Sequence, residues 1–246
     1  MKHPSRTLLG AGLLSFLVFL LISFPARVAY RWFAPSSVQI SGLEGSIWEG
    51  TAREMSAYGI YLGSPVWRMK LLYAARGQLA YAIEGSAGPG FISTGVAVSL
   101  GGTVTMTDLT ASLPLRFLEK TVSLPGLAGK VIVRFERLQL IGGLPVAADG
   151  FVEVIDLVIP AVHQSSIGGY RAEFSTQQDE VVASIEDTDG VVDLAGILRI
   201  AADRNYRFLG RLGAKPETPD SIRQQMRLLG SVDARGQYEL RLEGRL

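Results

Sequence analysis

The runs "KVIVRFERLQL" (130–140) and "FVEVIDLVI" (151–159) decide the fold. In both, apolar and polar residues mostly alternate, which is typical of a β-strand with one apolar and one polar face. Gly142 and Gly143 lie between the two runs, where a turn needs positive φ. The stretch therefore predicts neighbouring strands of an antiparallel sheet.

The same alternation recurs along the chain. The further runs are "QLAYAIE" (78–84), "VAVSL" (96–100), "TVTMTDL" (103–109), "VVDLAGILRI" (191–200), "YRFLGRLG" (206–213) and "QYELRLEGRL" (237–246). They predict a mostly β, mainly antiparallel protein. A Gly-x-apolar-x-apolar pattern precedes many of these strands. It indicates either a repeated hairpin unit or the ordinary preference for glycine before a strand, and both interpretations stay open.

The composition excludes several functions. Of 246 residues, 48% are hydrophobic and 19% are charged, and the formal net charge is +1. A nearly neutral chain has no general field that attracts polyanions, so we expect no nucleic-acid partner. The sequence has no cysteine. This excludes disulfides, a thiolate nucleophile and a cysteine metal site.

The N-terminal segment predicts a membrane anchor. From Leu8 to Phe24, seventeen residues pass without a charge, and apolar flanks extend the run to about the length of a bilayer span. A cleaved signal peptide is the alternative. It would place Phe24 or Arg27 at the minus-three position, where a small residue is required. Tyr30 and Trp32 follow the run and suit an interfacial aromatic belt.

The anchor prediction divides the chain into four parts. Only a short stub precedes the apolar run and most of the chain follows it, which favours an N-in, C-out orientation. The expected parts are a cytoplasmic stub (1–6), a transmembrane anchor (7–30), a linker (31–37) and a β domain outside the cytoplasm (38–246). We expect a protein that crosses the membrane once.

Two helices are expected within the sheet. In "TPDSIRQQMRLLG" (218–230), Thr218 suits an N-cap and Gly230 a C-terminal cap. Ile222, Met226 and Leu229 would share its apolar face, which favours docking on the sheet. The segment "SLPLRFLEK" (112–120) is a weaker helix candidate. Either helix could plug an open end or edge of the sheet.

The sequence predicts no catalytic, cofactor or metal site. His163 lies in a turn region without a ligand spacing around it. The run "PGLAGKV" (125–131) lacks the first glycine and the final Ser or Thr of a phosphate loop. The acids of "IEDTDG" (185–190) lack calcium-loop spacing and favour a solvated hairpin. We therefore expect a protein that is not an enzyme.

The segment "GLEGSIWEG" (42–50) surrounds a tryptophan with glycines. It predicts a turn at Gly42 to Gly45, a bend or bulge near Gly50, and Trp48 buried on one face of the first strand. A direct contact of Trp48 with a partner is the alternative. The structural or interaction candidates are Trp48, Gly45, Gly50, Trp67, Ile222, Met226 and Leu229.

A family resemblance rests on ordered stretches behind the predicted anchor. They are "GSIWEG" (45–50), "VWRMKLL" (66–72), "GQLAYAIEG" (77–85), "PGLAGKVIVRFERLQL" (125–140), "PVAADGFVEVIDL" (145–157) and "LGSVDARGQYELRLEGRL" (229–246). Together they resemble protein N of the bacterial type II secretion system. The resemblance implies a bitopic inner-membrane subunit, accessory to export of folded proteins across the outer membrane. Its implied partners are other inner-membrane secretion subunits and the membrane itself, and it implies no catalytic residues.

Domains of this kind are also similar to AsmA-like periplasmic proteins, in which a long sheet curls into a groove for acyl chains. This similarity implies a single long, curled sheet and leaves lipid open as a partner. The residues expected to line such a groove are Leu79, Tyr81, Val131, Val133, Val152 and Val154. A secretion subunit, a lipid-conducting groove and, least favoured, an enzyme on periplasmic polymers are the three hypotheses.

Overall fold

The protein is described from a computed structural model, which describes residues 4–33, 38–57, 59–119 and 124–245. Within these ranges, fifteen strands form one antiparallel sheet. The strands are β1 Val38–Ser41, β2 Glu44–Gly45, β3 Glu49–Thr51, β4 Glu54–Ala57, β5 Ile60–Met69, β6 Gln78–Ala87, β7 Gly90–Ser99, β8 Thr103–Pro114, β9 Ala128–Ile141, β10 Leu144–Val158, β11 Tyr170–Gln177, β12 Glu180–Asp187, β13 Val192–Ile200, β14 Asn205–Ala214 and β15 Gln237–Arg245. The prediction of a mostly β, antiparallel protein is confirmed.

The strand order follows the chain. From β4 to β15 each strand pairs with its neighbour in sequence, while β1 pairs with β4 and the β2–β3 hairpin joins the sheet through β5. Because the long strands alternate in direction, their connections fall alternately at two ends of the sheet. We call the end with the β5–β6, β7–β8 and β9–β10 connections the Leu72 end. The opposite end, with the β14–β15 connection and its helix α3 (Asp220–Met226), is the α3 end.

One face of the sheet carries the core, and we call it the apolar face. Its central cluster contains Phe135 and Val181, which are 5% and 1% exposed. Partly buried side chains from Ile92 in β7 to Tyr206 in β14 pack against this cluster. Burial of such side chains is the main force that holds the domain together. On the opposite face, the guanidinium of Arg171 lies 3.8 Å from the ring centroid of Phe151.

Irregular positions bend the long strands. The pairing shifts between Ser93 and Gly95 in β7 and between Asp149 and Gly150 in β10. Asp108 in β8 has a positive φ of 52°. A Cβ at Gly150 would lie 2.2 Å from the Arg134 carbonyl oxygen, so glycine is required there. Bulges of this kind increase local twist and bend a sheet.

The helix expected at 218–230 is present but shorter. Helix α3 spans Asp220–Met226 and a 3-10 turn follows it. Its N-cap is Pro219, because the Thr218 hydroxyl instead accepts a hydrogen bond from the Lys215 amide at 2.7 Å and donates one to the Val191 carbonyl. The C-terminal Gly230 has a positive φ of 118° but a ψ of −149°, so it ends the helix in an extended conformation and not in the left-handed helical one that was expected.

The weaker helix candidate, 112–120, is largely wrong. Ser112 lies in strand β8, and among the described residues of this segment a 3-10 turn forms at Leu115–Leu118, followed by Glu119 in helical conformation. The extended pairing of Ser112 with Phe91 and Ile132 outweighs the helical pattern. Leu115 nevertheless packs into a core cluster with Leu113 and Val131 at the α3 end. Lys120 lies outside the described residues.

Two helices precede the sheet. Helix α1 spans Pro4–Ile22 and helix α2 spans Ala26–Phe33, so the predicted 7–30 segment contains a break at 23–25. In the part of the chain that the structure describes, no helix has the combined length and apolarity needed to cross a bilayer.

At the α3 end, Lys215 links the end of β14 to the β12–β13 connection. Its ammonium donates hydrogen bonds to the Asp187 carboxylate and, at 2.8 Å, to the Gly190 carbonyl. The bond to Asp187 raises the pKa of Lys215 above its ordinary value of 10.5. The ion pair is half-buried, so solvent screens it only in part.

Replacing Lys215 with Met should lower the free energy of unfolding by about 1–2 kcal/mol, the range for a partly screened hydrogen bond to a charged group. Because the folded state raises the pKa of Lys215, its contribution is full below about 10.5 and is lost as pH rises through the folded pKa. Urea unfolding should therefore show a constant deficit near neutral pH that narrows above about 10.5. Lys130→Met is the exposed control, and an equal deficit in it would contradict this role.

Candidate interaction site

The segment 42–50 forms a tight hairpin between β2 and β3. Gly45 pairs with Gly50 across it and has a φ of 93°. A Cβ at Gly45 would lie 2.5 Å from the Glu49 carbonyl oxygen, and one at Gly50 would lie 2.4 Å from the Trp67 ring. Both glycines are therefore required for close approach. No register shift occurs at Gly50, so no bulge lies there, and the bend near it falls at Ile47 and Trp48.

The tryptophan that packs on this hairpin is Trp67. Its indole N–H donates a hydrogen bond to the Ser46 carbonyl at 3.1 Å, and its ring lies over Gly50. Trp48 was expected in the first strand, but it lies in the bend between β2 and β3 and is half-buried. The Trp48 carbonyl accepts a hydrogen bond from the Met69 amide at 2.6 Å. The short loop that joins β2 to β3 needs this bend. Because Trp48 lies in the bend, it is outside the alternating side-chain pattern of a strand.

Helix α2 docks against this hairpin and β1. The Arg27 Nε donates to the Leu43 carbonyl at 2.6 Å. The Tyr30 hydroxyl donates to the Val38 carbonyl at 3.0 Å and accepts from the Ile40 amide at 3.1 Å. Tyr30 thus binds the sheet, whereas Trp32 is 68% exposed.

An apolar cavity of about 250 Å³ separates α2 from the sheet. It is lined by Ala26, Ala29, Tyr30, Ile40, Leu43, Ile47, Met55, Pro65, Trp67, Tyr81 and Ile83. Burial in this region raises the pKa of the Tyr81 phenol.

Four of the six expected groove residues meet in the middle of the apolar face. Val131 pairs with Val154, and Val133 pairs with Val152. All four pack with the cluster that includes Leu115, so the α3 end of this face is filled by side chains of the chain itself.

Tyr81 and Leu79 lie toward the Leu72 end of the same face. Tyr81 aligns through successive strands with Val96, Met106 and Leu138. Met106 and Leu138 pack on the central cluster, which places Tyr81 on the apolar face. Leu79, two residues away, is 54% exposed, so the apolar face is open there.

Helix α3 buries two of its three expected residues. Ile222 and Met226 pack with Ile167 and Val192 at the α3 end. Leu229 is 45% exposed because the chain tightens into a 3-10 turn after Met226, which rotates Leu229 away from the buried face.

The outer edge of β15 is open over most of its length. Among the described residues, β15 pairs only with β14 inside the sheet, and Val232 covers its outer edge only at Tyr238. Charged side chains at Glu239, Arg241 and Glu243 alternate with apolar ones along this strand. Such an edge offers unpaired backbone groups to an added strand.

The sequence model of the family "Type II secretion system (T2SS), protein N" matches residues 36–241 of this chain. The chain belongs to this family. The protein N of Aeromonas hydrophila is 24% identical over 95% of this chain and 96% of its own length. The protein N of Vibrio cholerae serotype O1 is 25% identical over 96% of this chain and 98% of its own length. No solved structure matches the chain.

Membership in the protein N family gives the chain a general role in the secretion apparatus. The polar residues considered for chemistry make structural contacts. Asp187 binds Lys215 and accepts from the Leu194 amide at 2.9 Å, and His163 Nδ1 lies 3.3 Å from the Ser221 hydroxyl. Within the described ranges, no group of three or more His, Asp or Glu residues could hold a metal ion.

Proposed function

We propose that this protein is a non-enzymatic, bitopic inner-membrane subunit of the type II secretion apparatus, accessory to the export of folded proteins across the outer membrane. In this proposal residues 1–6 lie in the cytoplasm, 7–30 anchor the chain, 31–37 link the parts, and 38–246 form the periplasmic β domain. Its partners are other inner-membrane subunits of the apparatus.

The exposure of α1 supports the anchor. Large apolar side chains cover the described part of this helix and are 47–68% exposed: Leu13, Leu14, Phe16, Leu17, Val18, Phe19, Leu20 and Ile22. Such a surface is costly in water and favourable in a hydrocarbon phase.

The open edge of β15 carries the proposal of a protein partner. From Glu239 to Arg245 its outer backbone groups have no partner strand among the described residues. A partner that adds a strand here would satisfy those groups and extend the sheet. The charged side chains that alternate along β15 disfavour pairing with unrelated strands. A strand that binds here would therefore need complementary charges.

Site-specific crosslinking tests this edge, because the chain has no cysteine of its own. Arg241→Cys, carrying a photoreactive label in intact membranes of secreting cells, should crosslink to another secretion subunit. Ser184→Cys is a matched control, since Ser184 is exposed in β12, well inside the sheet. Equal product patterns from both positions, or none at Arg241 in assembled complexes, would contradict strand addition at β15.

A lipid-binding groove is the second candidate, because the six expected lining residues share the apolar face and Leu79 remains exposed there. A photoreactive residue at Leu79 should then label acyl chains, whereas one at the neighbouring Gln78, on the opposite face of β6, should not. Labelling confined to protein at both positions would exclude this candidate.

A further inference from the structure

Exposed apolar side chains gather on adjacent connections at the Leu72 end. Leu72 lies in the 3-10 helix Leu71–Arg76, which joins β5 to β6, and is 89% exposed. Leu100 lies at the β7–β8 turn and is 96% exposed. A Cβ at Gly77 would lie 3.7 Å from Leu100 Cδ1, so these two connections are neighbours.

We call this group the apolar rim. It consists of Leu71, Leu72, Tyr73, Leu100 and Ile141, which are 38–96% exposed. Ile141 joins it because it pairs with Thr103, directly after the β7–β8 turn. Single exposed leucines are ordinary on a protein surface, but several on neighbouring connections indicate a surface that is covered in function.

The rim lies close to the end of α1. The Phe24 carbonyl, two residues after α1, accepts a hydrogen bond from the Ile47 amide at 3.1 Å. The next residue, Trp48, accepts one from the Met69 amide at 2.6 Å. Met69 precedes Leu71 by two residues. The rim therefore lies close enough to the end of α1 to contact the surface that α1 enters.

The charge around the rim suits an anionic lipid surface. Residues 69–83 contain Lys70 and Arg76 and no acidic residue, and the pocket lined by Lys70 and Tyr73 adds one acid and one base, Glu136 and Arg137 of β9. Residues 85–107 contain no charged residue at all. Apolar side chains beside basic ones bind membrane interfaces, where the former enter the headgroup region and the latter meet anionic lipid.

We infer that the apolar rim inserts into the bilayer surface beside α1. The Leu72 end of the sheet then rests on the membrane, and the α3 end lies farthest from it. This inference rests on the proposed function, since it takes α1 as the anchor. It adds a second membrane contact, which fixes how the β domain stands on the bilayer.

Depth-dependent quenching tests the inference with the full chain in vesicles of phosphatidylethanolamine and phosphatidylglycerol. Single cysteines replace Leu72, Leu100, Leu17 and Leu228 and carry an environment-sensitive fluorophore. Leu228, 85% exposed near the α3 end, is the matched control for an exposed leucine. We expect shallow nitroxide lipids to quench the labels at Leu72 and Leu100, and to leave the label at Leu228 unquenched.

The label at Leu17 in α1 separates the two proposals. Quenching at Leu17 without quenching at Leu72 and Leu100 would contradict insertion of the apolar rim, and it would agree with α1 as the membrane anchor. This is also the result expected if a protein covers the rim. No quenching at Leu17 would contradict the anchor itself. If the rim inserts, Leu72→Asp should also reduce quenching of a label at Leu100.

Discussion

Replacing Phe135 with Ala should lower the free energy of unfolding by about 3–5 kcal/mol, because it opens a cavity in the central cluster. Phe135 is 5% exposed, and its ring centroid lies 5.4 Å from that of Phe174. The cluster joins strands from β7 to β14, so the loss acts on most of the sheet. Domains of this size are stable by about 5–15 kcal/mol, which makes this a large fraction of the total.

Urea unfolding of the full chain in detergent, followed by tryptophan fluorescence, measures this loss. Phe91→Ala removes the same atoms from a side chain that is 47% exposed, and it should change stability by only about 0.5 kcal/mol. Similar losses in the two variants would show that the central cluster does not carry the stability assigned to it.

Gly63→Ala should destabilise the protein by roughly 3 kcal/mol or more. Gly63 has a φ of 76°, a conformation that costs an L-residue about 1–2 kcal/mol. In addition, a Cβ there would lie 1.9 Å from the Ser86 carbonyl oxygen in β6. Because the Ser86 carbonyl belongs to backbone paired across β5 and β6, the clash is relieved only by separating the strands.

Gly88→Ala isolates the contribution of that clash. Gly88 also has a positive φ, 59°, but no atom lies within 4 Å of a Cβ built there. Gly88→Ala should therefore lower the free energy of unfolding only by the cost of the backbone conformation, about 1 kcal/mol. Thermal or urea unfolding of both variants gives the difference, and equal stability would contradict the packing of β6 against Gly63.

The strands found by alternation and those that were missed differ in their turns. The runs at 130–140 and 151–159 lie in β9 and β10, separated by glycines at positive φ. The β11–β12 hairpin was missed because its turn is formed by Gln178 and Asp179, with φ of 50° and 64°. Without a glycine or proline, the signal of that turn was only Asp179, a residue type that tolerates positive φ but is also common elsewhere.

The candidate site was predictable only in part. The glycines of 42–50 indicated a special backbone, yet the side chain that required Gly50 was Trp67 in β5, distant in sequence. Likewise, the pattern of 218–230 predicted the buried Ile222 and Met226, but the 3-10 turn that exposes Leu229 depends on local geometry. Tyr30 suited a membrane interface and instead binds β1.

By itself, the sequence determined the fold class, the family and the apolar character of the N-terminal segment, because alternation, motif order and an uncharged run are properties of neighbouring residues. The tertiary structure alone decided which side chains meet. Strand register brings Val131 to Val154 and Trp67 to Gly50, and the packing of two connections brings Gly77 close to Leu100. Such contacts join residues far apart in the chain. Their partners follow from pairing and bulges across many strands, so no local pattern contains them.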